Sequence, residues 1–225
     1  MEHLIFPELF SSEVKAFFTG KVPGDDLERI AEVASVDTRK IYLPVQRHTG
    51  TVHVVDADLE PAIADAVITR NRGILIGVRT ADCVPILIHD RTTHVIGAVH
   101  AGWRGTAAAI LKNTLRTMKD RFLSSPLNIV IAIGPAVRSS CYDVGYEVVE
   151  SVQKATGEGD YVTVVGEKCF IDLQTANRYQ ALSMGVPEEH LWISEDCTSC
   201  LPDRYFSYRF SKGSTGKQGA FIKLV

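Results

Sequence analysis

Residues 94–106 read HVIGAVHAGWRGT, and this stretch decides the fold class. Its β-branched run predicts a strand that ends at His100, and the two glycines that follow allow a tight turn into a helix. Free backbone N–H groups at a helix start bind anions, and an arginine there adds a planar cation. The stretch therefore predicts a strand–turn–helix unit with a candidate anion site at Gly102, Arg104 and Gly105. The alternative interpretation is a tight turn in which Trp103 fills the core.

Further strands and helices are predicted on both sides of this unit. β-branched runs indicate strands at residues 52–55, 74–78, 84–88 and 129–133. Helical patterns and caps indicate helices at residues 27–34, at 107–121 with Thr106 as N-cap, at 145–155, and from Asp172 to a stop at Gly185. Residues 1–40 are otherwise weakly patterned. Strands that cluster first, with helices between them at irregular intervals, predict an α+β fold with mixed sheets. Without a repeat or a linker, one domain over residues 1–225 is expected.

Composition excludes several functional classes. A formal net charge of −3 over 225 residues argues against nucleic acid as a partner. The sequence contains no run of about 18 apolar residues, so no membrane span is predicted. The first residues lack the basic flank of a secretory signal. Five cysteines form an odd set in a chain large enough to fold without disulfides, so a cytoplasmic protein is expected.

Three residues have the chemistry of a metal centre. Cys83 precedes an apolar strand run, His100 ends a strand, and His48 lies in a polar turn ahead of a strand. Each alone has an ordinary structural explanation, as an inert core thiol or a surface imidazole. Together, two imidazoles and a thiolate match the preference of Zn²⁺, and three protein ligands leave a fourth position for water or substrate. The spacings of 35 and 17 residues do not by themselves establish that the three converge.

The same motifs resemble those of the YfiH family, once called polyphenol oxidase or laccase-domain proteins. The resemblance covers about residues 41–225 and rests on six runs: ADAVIT from Ala64, TADC from Thr80, HAGWRG from His100, IGPA from Ile133, CYDVG from Cys141 and FSYR from Phe206. It implies an α/β/β/α layered fold in a cytosolic bacterial enzyme. It also implies that His48, Cys83 and His100 hold the metal.

The resemblance further implies purine nucleoside chemistry. The family's activities are phosphorolysis of adenosine, inosine, guanosine or methylthioadenosine, and deamination of adenosine. Purine nucleoside and phosphate are then the expected small-molecule substrates, with Arg104, Gly102, Gly105 and Arg209 as candidate binding residues. Asp82, beside the ligand cysteine, is expected to orient a ligand or transfer a proton.

Some positions depart from the family pattern. Arg47 and Thr49 flank His48 where the family has Val and Gly, and Lys217 replaces an arginine near the C-terminus. Arginine and lysine are not equivalent at a site that binds phosphate through two parallel hydrogen bonds. Of the sequence that the family usually has in this part of the chain, the first 40 residues retain only a Gly-Asp turn, at residues 24–26. These departures affect substrate recognition, whereas the metal ligands are all present.

Three alternative functions stay open from the sequence. A Cys83–His100 pair also fits a thiol hydrolase that cleaves an amide bond in a peptidoglycan precursor. A copper-dependent polyphenol oxidase would need roughly ten histidines for its copper centres, and the chain has seven, although copper can still occupy a His₂Cys site. A non-enzymatic structural metal domain would normally need a fourth protein ligand.

A second cysteine motif is interpreted as structural. Cys197 and Cys200 have the CxxC spacing of half a zinc knuckle, but no second such pair follows. We expect a pair at a strand edge. The motif does not match cytidine-type deaminases, because Pro202 follows the second cysteine instead of preceding the first.

Overall fold

The computed structural model describes residues 3–225, and Met1 and Glu2 lie outside the described residues. The strands, in chain order, are β1 Leu4–Ile5, β2 Val14–Thr19, β3 Ile41–Tyr42, β4 Val52–Val54, β5 Ala66–Thr69, β6 Leu75–Thr80, β7 Val84–Asp90, β8 Val95–Ala101, β9 Ile129–Ile133, β10 Asp143–Val144, β11 Val162–Val165, β12 Lys168–Ile171, β13 Leu191–Ile193 and β14 Gln218–Leu224. The α-helices are α1 Leu27–Ala34, α2 Trp103–Ala107, α3 Ile110–Phe122, α4 Tyr146–Thr156, α5 Leu173–Ser183 and α6 Tyr208–Ser211.

The strands form two large mixed sheets and one small one. The five-stranded sheet has the order β1-β2-β14-β6-β3, and the six-stranded sheet has the order β13-β9-β7-β8-β5-β4. In each large sheet antiparallel pairs occupy the centre, and parallel pairs lie at one or both edges. Strands β10, β12 and β11 form the small antiparallel sheet.

Apolar side chains pack these elements into four layers. One face of the five-stranded sheet buries Phe17 and Phe221 against Ile30 of α1. Its other face packs on the six-stranded sheet, where Phe18 and Leu87 belong to one buried cluster. The far face of the six-stranded sheet is covered by α3, α4 and α5 through a third buried cluster. The predicted α+β class, mixed sheets and α/β/β/α layers are therefore confirmed.

Several predicted boundaries agree with the structure and one is wrong. Helix α1 spans the predicted residues, and the Asp172 side chain caps α5 by accepting from the N–H of Thr175. The helix predicted for residues 107–121 instead begins at Ile110. Thr106 lies inside the short helix α2 and does not cap α3, because Ala109 has a positive φ of 55° that separates the two helices. Sequence patterns did not indicate this left-handed alanine.

The strands that were not predicted include β2 and β14, at the centre of the five-stranded sheet. Strand β14 lies between β2 and β6, so residues near both chain ends form the middle of the five-stranded sheet. Nearly all residues of β2 and β14 are buried, since one face meets α1 and the other meets the second sheet. Strands buried on both faces lack the alternation that identifies a half-exposed strand.

Within residues 3–225, no helix is both long and apolar enough to cross a membrane. One domain over residues 1–225 stays a prediction.

Candidate metal centre and substrate cavity

The pairing of β5 with β8 brings a buried aspartate to His100. Ala66 pairs with Val99, so Asp65, the residue before β5, lies opposite His100. The backbone N–H of His100 donates to the Asp65 carbonyl at 2.7 Å, and its Nδ1 donates to Asp65 Oδ1 at 2.8 Å. Both side chains are buried. A carboxylate on one imidazole nitrogen fixes the ring and leaves Nε2 as a ligand atom.

The same carboxylate holds the loop that carries His48. Asp65 accepts from the backbone N–H groups of Arg47, His48 and Thr49 at 3.2, 2.9 and 2.7 Å. The Thr49 hydroxyl also donates to it at 2.8 Å. His48 has a positive φ of 59°, a conformation that a side-chain-bearing residue keeps only when its neighbours hold it. Asp65 therefore positions two of the three predicted ligands.

Cys83 lies where the chain crosses from one sheet to the other. Strand β6 of the five-stranded sheet ends at Thr80, and β7 of the six-stranded sheet begins at Val84. Between them Asp82 has a positive φ of 88°. Its Oδ1 accepts from the Thr198 hydroxyl and its Oδ2 from the backbone N–H of Arg209, both at 2.6 Å. Asp82 thus stabilises the turn that presents the Cys83 thiol.

The structure brings His48, Cys83 and His100 together. One ligand atom from each lies within 4.8 Å of the other two, and Cys83 Sγ is 3.9 Å from His48 Nε2. A sulfur at about 2.3 Å and a nitrogen at about 2.05 Å from a tetrahedral Zn²⁺ are about 3.6 Å apart. The Cys83–His48 distance is therefore within a few tenths of an ångström of the value that a shared zinc ion requires. His48 is exposed and His100 buried, so the cluster opens toward solvent on the His48 side.

The charges of the cluster favour a thiolate. Burial raises the pKa of the Cys83 thiol, but His100 and then His48 lower it more, to about 6. Burial lowers the pKa of His100, whereas the Cys83 thiolate and Asp65 raise it, to about 9. Both shifts favour a thiolate beside an imidazolium when no metal is bound. A cation that replaces the imidazolium proton meets a ligand set with the thiolate already formed.

Gly102 makes room for the thiol. A Cβ at this position would lie 2.8 Å from Cys83 Sγ, closer than side chains tolerate, and 3.2 Å from His48 Cδ2, a tight contact. Gly102 is the N-cap residue of the five-residue helix α2, and no side chain caps that helix. Gly105, in α2, is buried and would place a Cβ 3.3 Å from the His100 carbonyl oxygen. The packing around the ligands therefore favours glycine most clearly at position 102, whereas a Cβ at position 105 would make only a tight contact.

The cluster lies in the wall of a cavity of about 670 Å³. Small-molecule sites have volumes of about 300–1,000 Å³, so the cavity is large enough for a nucleoside and an anion. Aromatic and aliphatic side chains line one part of it: Trp103, Val137, Tyr142, Leu173 and Tyr208. Cationic side chains line another part: Arg79, Arg104, Arg209 and Lys217.

The four cations differ in how far they are already engaged. Arg209 donates through Nε to the Cys141 carbonyl at 3.1 Å and pairs with Asp143. Arg104 is exposed and its guanidinium stacks on Trp103 at 4.3 Å. Arg79 forms an ion pair with Asp25 at 3.6 Å through Nη1, but its buried Nε has no hydrogen-bond partner among the described residues. Lys217 is exposed and has no ion pair among the described residues, so Arg79 Nε, Arg104 and Lys217 have capacity left for an anion.

The family model described as multi-copper polyphenol oxidoreductase laccase matches residues 24–225. The chain belongs to this family. It is 35% identical over 206 residues to the purine nucleoside phosphorylase of Bacteroides thetaiotaomicron, which covers 83% of this chain and 76% of that protein. It is also 35% identical over 206 residues to adenosine deaminase RL5 of an unknown prokaryotic organism, over 83% of this chain and 78% of that protein. The crystal structure of YlmD from Geobacillus stearothermophilus has a TM-score of 0.91 and 28% identity, covering 96% and 93% of the two chains.

Family membership agrees with the resemblance seen in the sequence, and two residues add to the site that the sequence predicted. Asp65 lies within a quoted motif but was given no role, because its contact with His100 depends on the register between β5 and β8. Arg79 lies outside the quoted motifs and was not predicted to bind substrate. The Gln46 side chain donates to the Arg79 carbonyl at 2.8 Å and accepts from its N–H at 2.9 Å, which joins the His48 loop to the end of β6.

The departures from the family pattern have different places in the structure. The Thr49 hydroxyl is directed to Asp65 and supports the His48 loop. Arg47 is exposed, and its backbone N–H also binds Asp65. Lys217 lines the cavity. Of the three, Lys217 alone is among the cavity-lining residues.

Proposed function

We propose that this chain is a zinc-dependent purine nucleoside phosphorylase that cleaves adenosine, inosine, guanosine or methylthioadenosine with phosphate. The observation that carries the proposal is the convergence of His48, Cys83 and His100 in the wall of a cavity that also holds unengaged arginine nitrogens. Two relatives with names of purine nucleoside enzymes, each 35% identical, support it.

The three ligands fit zinc by their donor atoms and spacing. Two imidazole nitrogens and a thiolate suit a borderline-soft cation, and the low pKa of Cys83 makes the thiolate available at neutral pH. A zinc ion held there supplies Lewis-acid chemistry at a substrate atom or activates water. The three-ligand set leaves room for that atom, in contrast to a closed structural site.

Phosphate is assigned to the cationic part of the cavity. Phosphorolysis breaks the bond between the sugar C1′ and the base nitrogen, and a phosphate oxygen forms the new bond to C1′. The protein must hold the dianion close to C1′ and stabilise a sugar with oxocarbenium character. Arg79 Nε and the Arg104 guanidinium are the donors we assign to phosphate. Lys217 and Arg209 add positive charge around them, with Gly102 and Gly105 shaping the wall beside the ligands.

The apolar part of the cavity suits a purine ring. Tyr142 and Tyr208 offer aromatic faces, and Leu173 offers an aliphatic one. Burial raises the pKa of Tyr142 to about 12, so its hydroxyl stays protonated and can donate a hydrogen bond to a base or sugar atom.

Asp82 and Asp65 are proposed as positioning residues. Both Asp82 oxygens accept short hydrogen bonds from Thr198 and Arg209, which favours an orienting role over proton transfer. Asp65 orients His100 and the His48 loop through buried hydrogen bonds. Neither carboxylate needs to contact substrate for this function.

The test is product analysis with purified, zinc-replete protein. Incubation with adenosine and phosphate should give adenine and ribose 1-phosphate, and Cys83→Ala should abolish the reaction. Cys169→Ala is the matched control, because Cys169 is a buried free cysteine in β12, outside the cavity lining. The proposal fails if none of the four nucleosides is cleaved, or if Cys83→Ala retains the activity of Cys169→Ala.

Deamination of adenosine at the same centre is a second candidate, favoured by the similarity to adenosine deaminase RL5. The same assay detects it as inosine formed without phosphate.

A Cys83–His100 thiol hydrolase is favoured by the low pKa of Cys83. Chelation separates these mechanisms, because it should abolish zinc catalysis and leave a thiol mechanism intact. Copper is tested by loading the metal-free protein with copper in place of zinc and repeating the assay.

We propose a cytoplasmic location, consistent with five free cysteines.

A further inference from the structure

A second cluster of metal-ligating side chains lies outside the proposed centre. The structure brings Cys141 to the CxxC pair, so that the Sγ atoms of Cys141, Cys197 and Cys200 all lie within 4.8 Å of one another. Cys141 and Cys200 are 59 residues apart in sequence, and their sulfur atoms are 3.1 Å apart. Cys197 forms an isolated parallel bridge with Ala136, and neither residue belongs to a strand, so the expected strand-edge pair stays a prediction. The third thiol is what the sequence did not indicate.

We propose that Cys141, Cys197 and Cys200 form a second metal site, for a soft d¹⁰ cation such as Zn²⁺ or Cu⁺. Three thiolates are a donor set that selects these ions over Mg²⁺ or Ca²⁺. A disulfide can join only two of the sulfurs and would leave the third without a partner. Zn²⁺ at about 2.3 Å from each sulfur requires sulfur–sulfur distances of about 3.8 Å. The Cys141 and Cys200 sulfurs, 3.1 Å apart, would therefore move apart by a few tenths of an ångström each, and all three sulfurs already lie within 4.8 Å of one another.

The surroundings of the cluster suit bound thiolates. The backbone N–H of Arg138 donates to Cys197 Sγ at 3.4 Å, a contact that stabilises negative charge on sulfur. Cys197 is buried, Cys141 is half-buried and Cys200 is exposed. The site is therefore anchored in the protein on one side and open on the other, where a water can complete four-coordinate zinc or three-coordinate Cu⁺ can remain uncapped.

The cluster is connected to the substrate cavity through short contacts. The Cys141 carbonyl accepts from Arg209, and the next residue, Tyr142, lines the cavity. Thr198, inside the CxxC turn, donates to Asp82, the residue before Cys83. An ion that joins the 141 and 197–200 segments would fix this wall. Its loss should raise KM for the nucleoside more than it lowers kcat.

The experiment compares metal content in full-length protein purified with a reductant and without a chelator. Wild type should carry about two ions per chain. Cys200→Ser should lose one of them, and the matched control Cys169→Ser should lose none, since Cys169 belongs to neither cluster. Cys200 is exposed, so its substitution should leave the fold intact, which thermal unfolding checks.

Alkylation identifies the ligands directly. In the purified protein Cys200 should react with iodoacetamide about 10-fold more slowly than after chelation, because a metal-bound thiolate is a poor nucleophile. Loading the metal-free protein with Zn²⁺ or Cu⁺ in separate arms should restore protection with the cation that the site prefers.

Two results would overturn the proposal. One is equal metal content in wild type and Cys200→Ser. The other is a Cys141–Cys200 disulfide, detected as a mass 2 Da lower, in protein prepared without a reductant and found to hold no second ion. The outcome is separate from the proposed function: if the His48 cluster binds no metal, Cys83→Ala leaves the ion content unchanged while Cys200→Ser still removes one ion.

Discussion

Replacing Asp65 by asparagine should weaken metal binding without removing any ligand. One carboxylate oxygen accepts from His48 N and His100 Nδ1, and the other accepts from Arg47 N, Thr49 N and the Thr49 hydroxyl. The asparagine amide nitrogen is a donor, so in either orientation it faces donors that have lost their acceptor.

The magnitude follows from the number of groups left without a partner. Each buried donor that loses its acceptor costs about 1–3 kcal/mol, and at least two backbone or ring N–H groups are affected. Asp65→Asn should therefore lower the free energy of unfolding by about 2–5 kcal/mol. Loss of the carboxylate that orients a ligand histidine should weaken zinc affinity by about 10–100-fold.

Competition with a chromogenic chelator measures the affinity, and urea unfolding of the metal-free protein measures the stability. Asp90→Asn is the matched control, because Asp90 is also a fully buried carboxylate that accepts backbone N–H groups, from Thr92 and Thr93 at 2.8 and 3.1 Å, at the β7–β8 turn. Both N–H groups bond to Oδ1, and Oδ2 has no hydrogen-bond partner among the described residues, so an asparagine can keep its oxygen toward them. Asp90→Asn should therefore keep zinc affinity. The reasoning is refuted if Asp65→Asn binds zinc as wild type does, or if Asp90→Asn weakens binding equally.

Three further predictions concern the thiol, the cavity and the core. Gly102→Ala places a Cβ against the Cys83 thiol, so it should lower nucleoside turnover by at least about 10-fold. Gly73→Ala, in an exposed turn, is the control and should not lower it. Equal turnover in the two variants would contradict the packing argument. Arg79→Lys removes the unpartnered Nε, so it should raise KM for phosphate by about 10-fold and leave KM for the nucleoside unchanged, as steady-state kinetics would show. Burial lowers the pKa of His89 to about 4, below its unfolded value of about 6.5. The unfolded state therefore binds the proton more tightly, and the free energy of unfolding falls as the pH falls from about 6.5 to about 4. Wild type should lose about 2 kcal/mol more than His89→Leu between pH 7 and pH 5; parallel urea-stability profiles for the two proteins would refute this.

The local signals in the sequence were sufficient for many elements. Strand β9 and helix α1 begin and end where their patterns predict, because a β-branched run and an aspartate cap act within a few residues. The metal-ligand candidates also follow from local signals, since Cys83 and His100 mark strand ends. Bringing them together needed the family resemblance as well as the residues.

Features that depend on pairing between distant segments were not available from local signals. The contact between Asp65 and His100 follows from the register of two strands 35 residues apart, and the place of β14 beside β2 joins segments about 200 residues apart. The approach of Cys141 to Cys200 is of the same kind. No periodicity or cap signal reports such contacts, because they depend on how the layers stack.

The most direct test of the central claim is to titrate zinc into metal-free protein while measuring phosphorolysis of adenosine. The titration uses the Cys200→Ser variant, which lacks the proposed second metal site, so that it reports on the His48, Cys83 and His100 centre. Activity should be absent before zinc is added, rise in proportion to bound zinc and reach a plateau at about one equivalent. The same titration of Cys83→Ala in this background should stay at zero. Full activity in the metal-free protein, or equal activity with and without Cys83, would contradict the assignment of this cluster as the catalytic metal centre.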